Sequence, residues 1–407
     1  MAHHTFDTVV IGGGQAGLAT GYFLARQRRD FVILDAGDRI GETWRNRWDS
    51  LRLFTPAFHN GLPGMPLPPP GRYLPTKDET ADYLEAYAER FALPVRLGRH
   101  VDALTRYGHG YLICAGDERY TADRVVVATG PYRHPKIPEF ASALDPAIIQ
   151  LHSSAYRNPG QLPDAGDVLV VGAGNSGAEI SVDVAATRRT YLAGRDTGVA
   201  PLRLIHNRLS LWLADHLITV DTALGRKMGT ASARRGDPLV RLTPKAIAAA
   251  GVERVPRVES IADGKPRLAD GRTLDVAVVV WATGFRPDFA WIDLPILDGS
   301  GYPMHRRGVV EAAPGLYFVG LPFQYSPTST HVGGVGRDAR YITEHLATSR
   351  PRHLSVSAAS RPDQITYPPN DSVGEPFVSI RTQLSGSDPD TAARIGLDDG
   401  DERWTRR

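Results

Sequence analysis

Residues 9–19 read VVIGGGQAGLA and residues 170–180 read VVGAGNSGAEI. Each stretch spaces three glycines as Gly-x-Gly-x-x-Gly: Gly12, Gly14 and Gly17 in the first, Gly172, Gly174 and Gly177 in the second. The chemistry this spacing serves is the holding of a pyrophosphate. The first glycine makes the tight strand-to-helix turn, the second lets backbone approach the phosphates, and the third lets helix and strand pack closely. The helix that follows offers free N–H groups and the positive end of its dipole. Asn175 and Ser176 fall inside the second turn and are counted with it as candidate contacts.

What lies 23 residues beyond each first glycine separates the two sites. After Gly12 that position is Asp35; after Gly172 it is Arg195. An acid there suits a free ribose diol, and a base accommodates a 2′-phosphate. The two turns are therefore expected to hold different dinucleotides, with the phosphorylated one, NADPH, at the second. Arg189 and Arg203 are alternative bases for that role. A charge-assisted contact of about 1.5–3 kcal/mol predicts a preference for NADPH over NADH of roughly ten- to a hundredfold. Two dinucleotides in one chain suggest a flavin and a nicotinamide exchanging a hydride.

Other chemistries find little support. The chain of 407 residues has a net charge of +2, which calls for neither nucleic acid nor an acidic surface. Thirteen histidines are scattered without metal-ligand spacing, so no metal is expected. Cys114 is the single cysteine, in a strand-like run, which excludes a disulfide framework and an internal redox dithiol. No run of eighteen apolar residues appears, so no membrane span is expected. The sequence reads as lacking a signal peptide, and a cytoplasmic location is expected.

The elements that must position these residues alternate between strand and helix, which predicts an α/β fold with two Rossmann-like dinucleotide-binding domains. DTVVI, a helix over about 14–28 and FVILD form the first βαβ unit; residues 167–195 form the second. TKDETADYLEAYAERF reads as a helix, with Thr76 and Glu79 in a capping box and Tyr83, Leu84, Tyr87 and Phe91 on its apolar face. Leu202–Val220 reads as an amphipathic helix, 221–240 as a charged loop and RDARYITEHLA as a closing helix. From about residue 350 the chain turns polar and rich in Pro, Gly, Ser and Asp, which predicts a flexible tail over 351–407.

Together these segments resemble the flavin-containing monooxygenase family, particularly single-chain bacterial members related to plant YUCCA-type enzymes. GGGQAG, GETWRNRWDSLRLFTPAFHNGLPGMPLP, VVVATGPYRHPKIP, GAGNSGAE, VVVWATGFRPD and LYFVGLPFQYSPTSTHVGGVGRDA carry the resemblance over about 5–348. It implies FAD at the first turn and NADPH at the second, with the NADPH domain (161–284) inserted into a discontinuous FAD domain (1–160 and 285–350). It makes Trp44 and Arg45 candidates for flavin contact, with structural packing as the alternative, and implies that Gly320 lies beside the flavin ring. The Ala-Thr-Gly stretches Ala128, Thr129, Gly130 and Ala282, Thr283, Gly284 would let backbone pass close to a cofactor. The family fingerprint Phe-x-Gly-x-x-x-His-x-x-x-(Tyr/Phe) is half present: His152 and Tyr156 stand at their places, while Pro146 and Ile148 replace the Phe and Gly. Where many animal members carry an Asn beside the flavin, this chain has Phe54 or Thr55, with Asn60 nearby.

The activity implied is reduction of FAD by NADPH, then transfer of one oxygen atom from a C4a-hydroperoxyflavin to a small organic substrate, with molecular oxygen consumed. His152, Gln324 and Ser326 are the candidates for touching the reacting groups, and His331 for touching substrate. A hydrogen-bonded interdomain role is the alternative for His152. Satisfaction of backbone groups is the alternative for Gln324, Ser326 and His331. Two other functions use the same turns: an NADPH-dependent flavoprotein reductase of a quinone, ferredoxin or other acceptor, and a flavin-binding redox sensor with little turnover.

Overall fold

The computed structural model describes residues 2–69, 71–200, 206–235 and 238–348. Arg203 and the expected tail over 351–407 lie outside the described residues.

Two sheets organise the chain. In the first, β1 (Ala2–Ile11) runs parallel to β2 (Phe31–Leu34) on one side and to β6 (Glu118–Val127) on the other. β3 (Val95–Arg96) extends the sheet beyond β2, and β4 (Ala103–Tyr107) and β5 (Gly110–Ala115) form an antiparallel extension of β6. The late strand β16 (Leu316–Phe318) returns to pair in parallel with the end of β6. The second sheet is wholly parallel, in the order β11 (Val252–Val255), β10 (Thr190–Ala193), β9 (Val168–Val171), β14 (Val278–Trp281), β8 (Ile149–His152). Such a sheet is covered on both faces, so its strands are continuous apolar runs; VLVV, TYLA and VVVW are each buried at every position.

In chain order the second sheet lies between β6 and β16, as an insertion into the first. Ile149–His152 pairs into the second sheet, although its chain position falls within the segment 1–160 expected to belong with the first. β7 (His134–Pro135) and β15 (Phe285–Arg286) pair antiparallel where the chain passes between the sheets.

Helices α1 (Gln15–Arg26) and α4 (Asn175–Ala185) follow the two glycine turns. Helix α3 (Lys77–Arg90) starts at the expected capping box: Thr76 accepts from the Glu79 N–H at 3.1 Å, and Glu79 accepts from the Thr76 N–H at 2.8 Å. Tyr83, Leu84 and Tyr87 are buried beneath it. Helix α5 (Arg208–Leu217) begins at Asn207, whose side chain accepts from Leu209 N–H at 2.8 Å.

The stretch 221–240 departs from the expected loop, since Ala223–Arg235 is helix α6. The glycines that suggested a loop serve close packing. A Cβ on Gly225 would strike the Thr219 backbone, and one on Gly229 would press the Phe323 ring. Apart from Thr230 and Ser232, strong helix formers (Ala, Leu, Arg, Lys, Met) fill the rest. After the short α7 (Pro244–Ala249), the closing α8 (Val335–Thr348) packs on α1. Among the described residues, no helix is long and apolar enough to cross a membrane.

Candidate functional site

Each glycine turn is a strand end folded over by its own Ala-Thr-Gly stretch. Gly12 takes φ +109°, and a Cβ there would meet the Ala128 carbonyl. Gly172 takes φ +111° and abuts the Ala282 carbonyl in the same way. The third glycines are equally constrained: a Cβ on Gly17 would strike the Gly12 carbonyl, and one on Gly177 the Gly172 carbonyl. The middle glycines differ. A Cβ on Gly14 or Gly174 meets nothing within 4 Å, so open space lies in front of both turns.

The helix starts carry the same message. Helices α3, α5 and α7 are capped by the side chains of Thr76, Asn207 and Thr243. Helices α1 and α4 begin at Gly14 and Gly174 with no side-chain cap. Their first N–H groups are orphans of the kind that bind phosphate.

In front of the first turn lies a cleft of about 450 Å³. Gly12, Gly13 and Gly14 form one wall; Ala128, Thr129, Gly130, Trp44 and Gly320 also line it. Asp35, at the end of β2, is held by the backbone: its Oδ2 accepts from Gly13 N–H at 2.5 Å and its Oδ1 from Gly37 N–H at 2.9 Å. Trp44 donates through Nε1 to Gln15 Oε1 at 3.3 Å, and Gln15 donates to the Thr330 carbonyl at 3.2 Å. That chain ties the Trp-Arg segment to the first turn and to the Gly-rich loop after β16. Arg45 is turned elsewhere, bonding Asp82 at 2.7 Å and Glu85 at 3.1 Å on α3, and does not line the cleft.

At the second turn Arg195 is exposed, and no hydrogen-bond or ion-pair partner meets its guanidinium among the described residues. Arg189 stands at the other end of β10 and is paired with Glu253 at 3.0 Å. Sequence reasoning missed Arg254, which lies next to the end of the neighbouring β11 and donates to the Gly194 carbonyl at 3.2 Å. Its signal was the charged, valine-spaced stretch VERVPRV. Asn175 is engaged by the protein, bridging Pro238 O at 3.0 Å and Val240 N–H at 2.9 Å. Ser176 sits half-buried one residue further along α4. Thr283 donates to the Lys136 carbonyl.

The residues proposed for chemistry are occupied structurally. His152 is buried; its Nε2 donates to the Gly284 carbonyl at 2.9 Å, and its Nδ1 faces Ser154 Oγ at 2.9 Å. Burial, reinforced by the Arg47 charge, pushes its pKa down, opposed by the Gly284 bond. The neutral ring joins β8 to the second Ala-Thr-Gly stretch. Gln324 donates to Phe318 O at 2.8 Å and accepts from Leu321 N–H at 3.2 Å. Ser326 joins a buried network with Arg337 and Asp215. His331 packs edge-on against Phe54. Thr55 and Asn60 bond each other at 2.7 Å. None of these side chains lines the cleft. Among the described residues, no group of three or more His, Cys, Asp and Glu is placed to hold a metal ion.

One titratable group stands between the halves. Glu179 on α4 packs beside the indole of Trp48, and Arg241 lies 3.2 Å from its carboxylate. Burial pushes its pKa up to about 7 against the pull of Arg241. Arg241 also donates to the Arg52 carbonyl at 3.1 Å.

A protein-family profile described as pyridine nucleotide-disulphide oxidoreductase matches residues 9–320. An oxidoreductase named CzcO-like from Geobacillus kaustophilus is 42% identical over 84% of this chain and 99% of its own. A probable indole-3-pyruvate monooxygenase, YUCCA7 of Arabidopsis thaliana, is 28% identical over 84% of this chain and 87% of its own. The solved flavin-containing monooxygenase from Stenotrophomonas maltophilia superposes with a TM-score of 0.70 at 29% identity, covering 84% of this chain and 98% of that one.

Proposed function

The chain belongs to the pyridine nucleotide-disulphide oxidoreductase family, among its flavin monooxygenases, and from that premise we propose that it is an FAD- and NADPH-dependent monooxygenase acting on a small organic substrate. The observation that carries this reading is the pair of glycine turns. Both lack side-chain caps and face open space, yet one ends in a backbone-held acid and the other in a base that meets no partner among the described residues. In this reading Gly12, Gly14, Gly17 and Asp35 hold FAD, and Ala128, Thr129, Gly130, Trp44 and Gly320 wall it in. Gly172, Gly174, Gly177 and Arg195 hold NADPH, and we add Arg254 beside Arg195. FAD, when bound, supplies hydride acceptance from NADPH and the activation of dioxygen, one atom of which goes to the substrate.

The chain's own task is position, polarity and exclusion of water. Asp35 is preset by two backbone N–H groups, so little reorganisation accompanies ribose binding. The Trp44–Gln15–Thr330 chain fixes an indole at the cleft wall. His152, neutral and doubly hydrogen-bonded, keeps the crossing strands in register.

The reductase reading uses the same turns. A cysteine-pair disulphide reductase is excluded, because Cys114 is the single cysteine. The experiment reduces the purified yellow protein anaerobically with NADPH, mixes it with oxygenated buffer and records spectra. The expected result is a transient blue-shifted spectrum that decays faster when substrate is present. Direct return to the oxidised spectrum would favour the reductase, and failure of NADPH to reduce the flavin would reject both.

A further inference from the structure

Arg47 follows Asn46, which lines the cleft, and precedes the buried Trp48. Its guanidinium lies over the Phe285 ring, 5.4 Å from the centroid. Phe285 directly follows the second Ala-Thr-Gly stretch and packs edge-on against His152 at 5.0 Å and against Tyr132 at 5.7 Å. Tyr132 is itself part of the cleft lining, two residues past the first Ala-Thr-Gly stretch. Arg47 therefore stands where the ends of both nucleotide-binding halves meet.

What sets it apart among the arginines near the cleft is the lack of any hydrogen-bonding partner for its guanidinium. The others are engaged: Arg45 by Asp82 and Glu85, Arg99 by Glu118 at 2.9 Å, Arg133 by the His100 ring, and Arg157 by the Ser154 and Tyr156 carbonyls. No hydrogen-bond acceptor or carboxylate meets the Arg47 guanidinium among the described residues. Burial pushes its pKa down, and Arg157 adds to that shift against the Tyr132 phenol. A half-buried cation without an anion is costly unless a ligand supplies one. A guanidinium over a ring face, with no acceptor on its N–H groups, keeps those donors free for a planar or tetrahedral oxyanion.

We propose that Arg47 is an anion-binding arm of this site, taking a carboxylate or phosphate group of the ligand that enters between the two halves. The assignment rests on the monooxygenase reading for the identity of that ligand: the anion is either the pyrophosphate of NADPH or an acidic group of the substrate.

The test titrates FAD-loaded, oxidised wild-type protein, R47M and R47K with NADP⁺, 2′-AMP, phenylacetate and phenylacetamide, followed by flavin absorbance and calorimetry. If the anion is the nucleotide pyrophosphate, R47M weakens NADP⁺ at least tenfold and leaves 2′-AMP unchanged, because that fragment carries no 5′-phosphate. If the anion belongs to the substrate, NADP⁺ is unchanged, phenylacetate weakens at least tenfold and phenylacetamide does not. R47K keeps the charge without the fork and falls between wild type and R47M. It also decides the matter should R47M fail to fold. Equal affinities in all three proteins, or equal losses for the charged and uncharged probes, overturn the proposal. Should wild-type protein bind neither nucleotide, the NADPH reading fails, and the acid–amide contrast alone still decides Arg47.

Discussion

The two glycine turns share a backbone and differ in what surrounds it. At both, an Ala carbonyl from a later strand presses on a left-handed glycine, and an uncapped helix starts in open space. At the first, Asp35 is locked by Gly13 and Gly37 N–H groups beside a cleft walled by Trp44 and Gly320. At the second, Arg195 is exposed and meets no partner among the described residues. Under the proposed function, the contrast is that of a preorganised acceptor for a resident group against an open cationic rim for one that comes and goes. A preset site loses less freedom on binding, whereas an exposed arginine attracts its phosphate from solution and releases it.

The strongest way to break this comparison is to fill the third glycine of each turn. A Cβ at Gly17 or Gly177 collides with the carbonyl of the first glycine, which is backbone and cannot swing aside. Each Ala substitution is expected to cost about 2–4 kcal/mol locally. G17A should purify without its yellow colour. G177A should keep the flavin and lose reduction by NADPH. The readouts are flavin content by absorbance and anaerobic reduction rate. A G177A protein that loses its flavin as readily as G17A would end the assignment of distinct roles.

A smaller effect sharpens the second site. R195A should lower the preference for NADPH over NADH roughly ten- to a hundredfold, mostly through weaker NADPH binding, as a lost charge-assisted contact of about 1.5–3 kcal/mol requires. R254A should add to it, because Arg254 reaches the carbonyl of Gly194, next to Arg195. Kd values for NADP⁺ and NAD⁺ on the variants check this. Equal losses for both nucleotides would remove the 2′-phosphate from the account.

Much of this was legible because glycine spacing and apolar runs report directly on backbone. Gly12 and Gly172 announce left-handed turns that few other residues tolerate, and the Thr76–Glu79 box announces the start of α3. Side chains in loops were harder. Gln324 and Ser326 stand in a segment that passes near the cleft, but their polar atoms face inward to carbonyls and to Arg337. Nothing in their spacing distinguishes a residue that satisfies backbone from one that meets substrate. Arg45 and Arg47 are two residues apart in one motif, and only the placement of α3 reveals that Asp82 and Glu85 claim the first. The helix Ala223–Arg235 was hidden because its glycines mark close packing and not a break. The pairing of Ile149–His152 into the second sheet was not legible, because its partner, Val278–Trp281, is over a hundred residues away in the chain.

The subtlest difference between the halves lies two residues past the third glycine. Helix α1 has Ala19 there, fully buried; α4 has Glu179, packed beside Trp48 from the other half. Burial raises the Glu179 carboxyl from 4.5 to about 7. Below pH 4.5 both folded and unfolded chains hold this proton. Between 4.5 and 7 the folded chain keeps a proton that the unfolded chain releases, so this group's contribution to stability falls as pH rises through that window. Above 7 both forms are ionised and the full penalty remains, at most about 3 kcal/mol for a shift of this size. E179Q removes the ionisation and keeps the shape. It should be more stable than wild type at pH 8 by about 1–2 kcal/mol, with the gain vanishing near pH 5. Urea unfolding across pH 5–8 measures it. A variant less stable than wild type at pH 8 would mean that the ion pair with Arg241 outweighs the burial of the carboxylate, and that the two halves are held together by charge at the point where the first helix uses only an alanine.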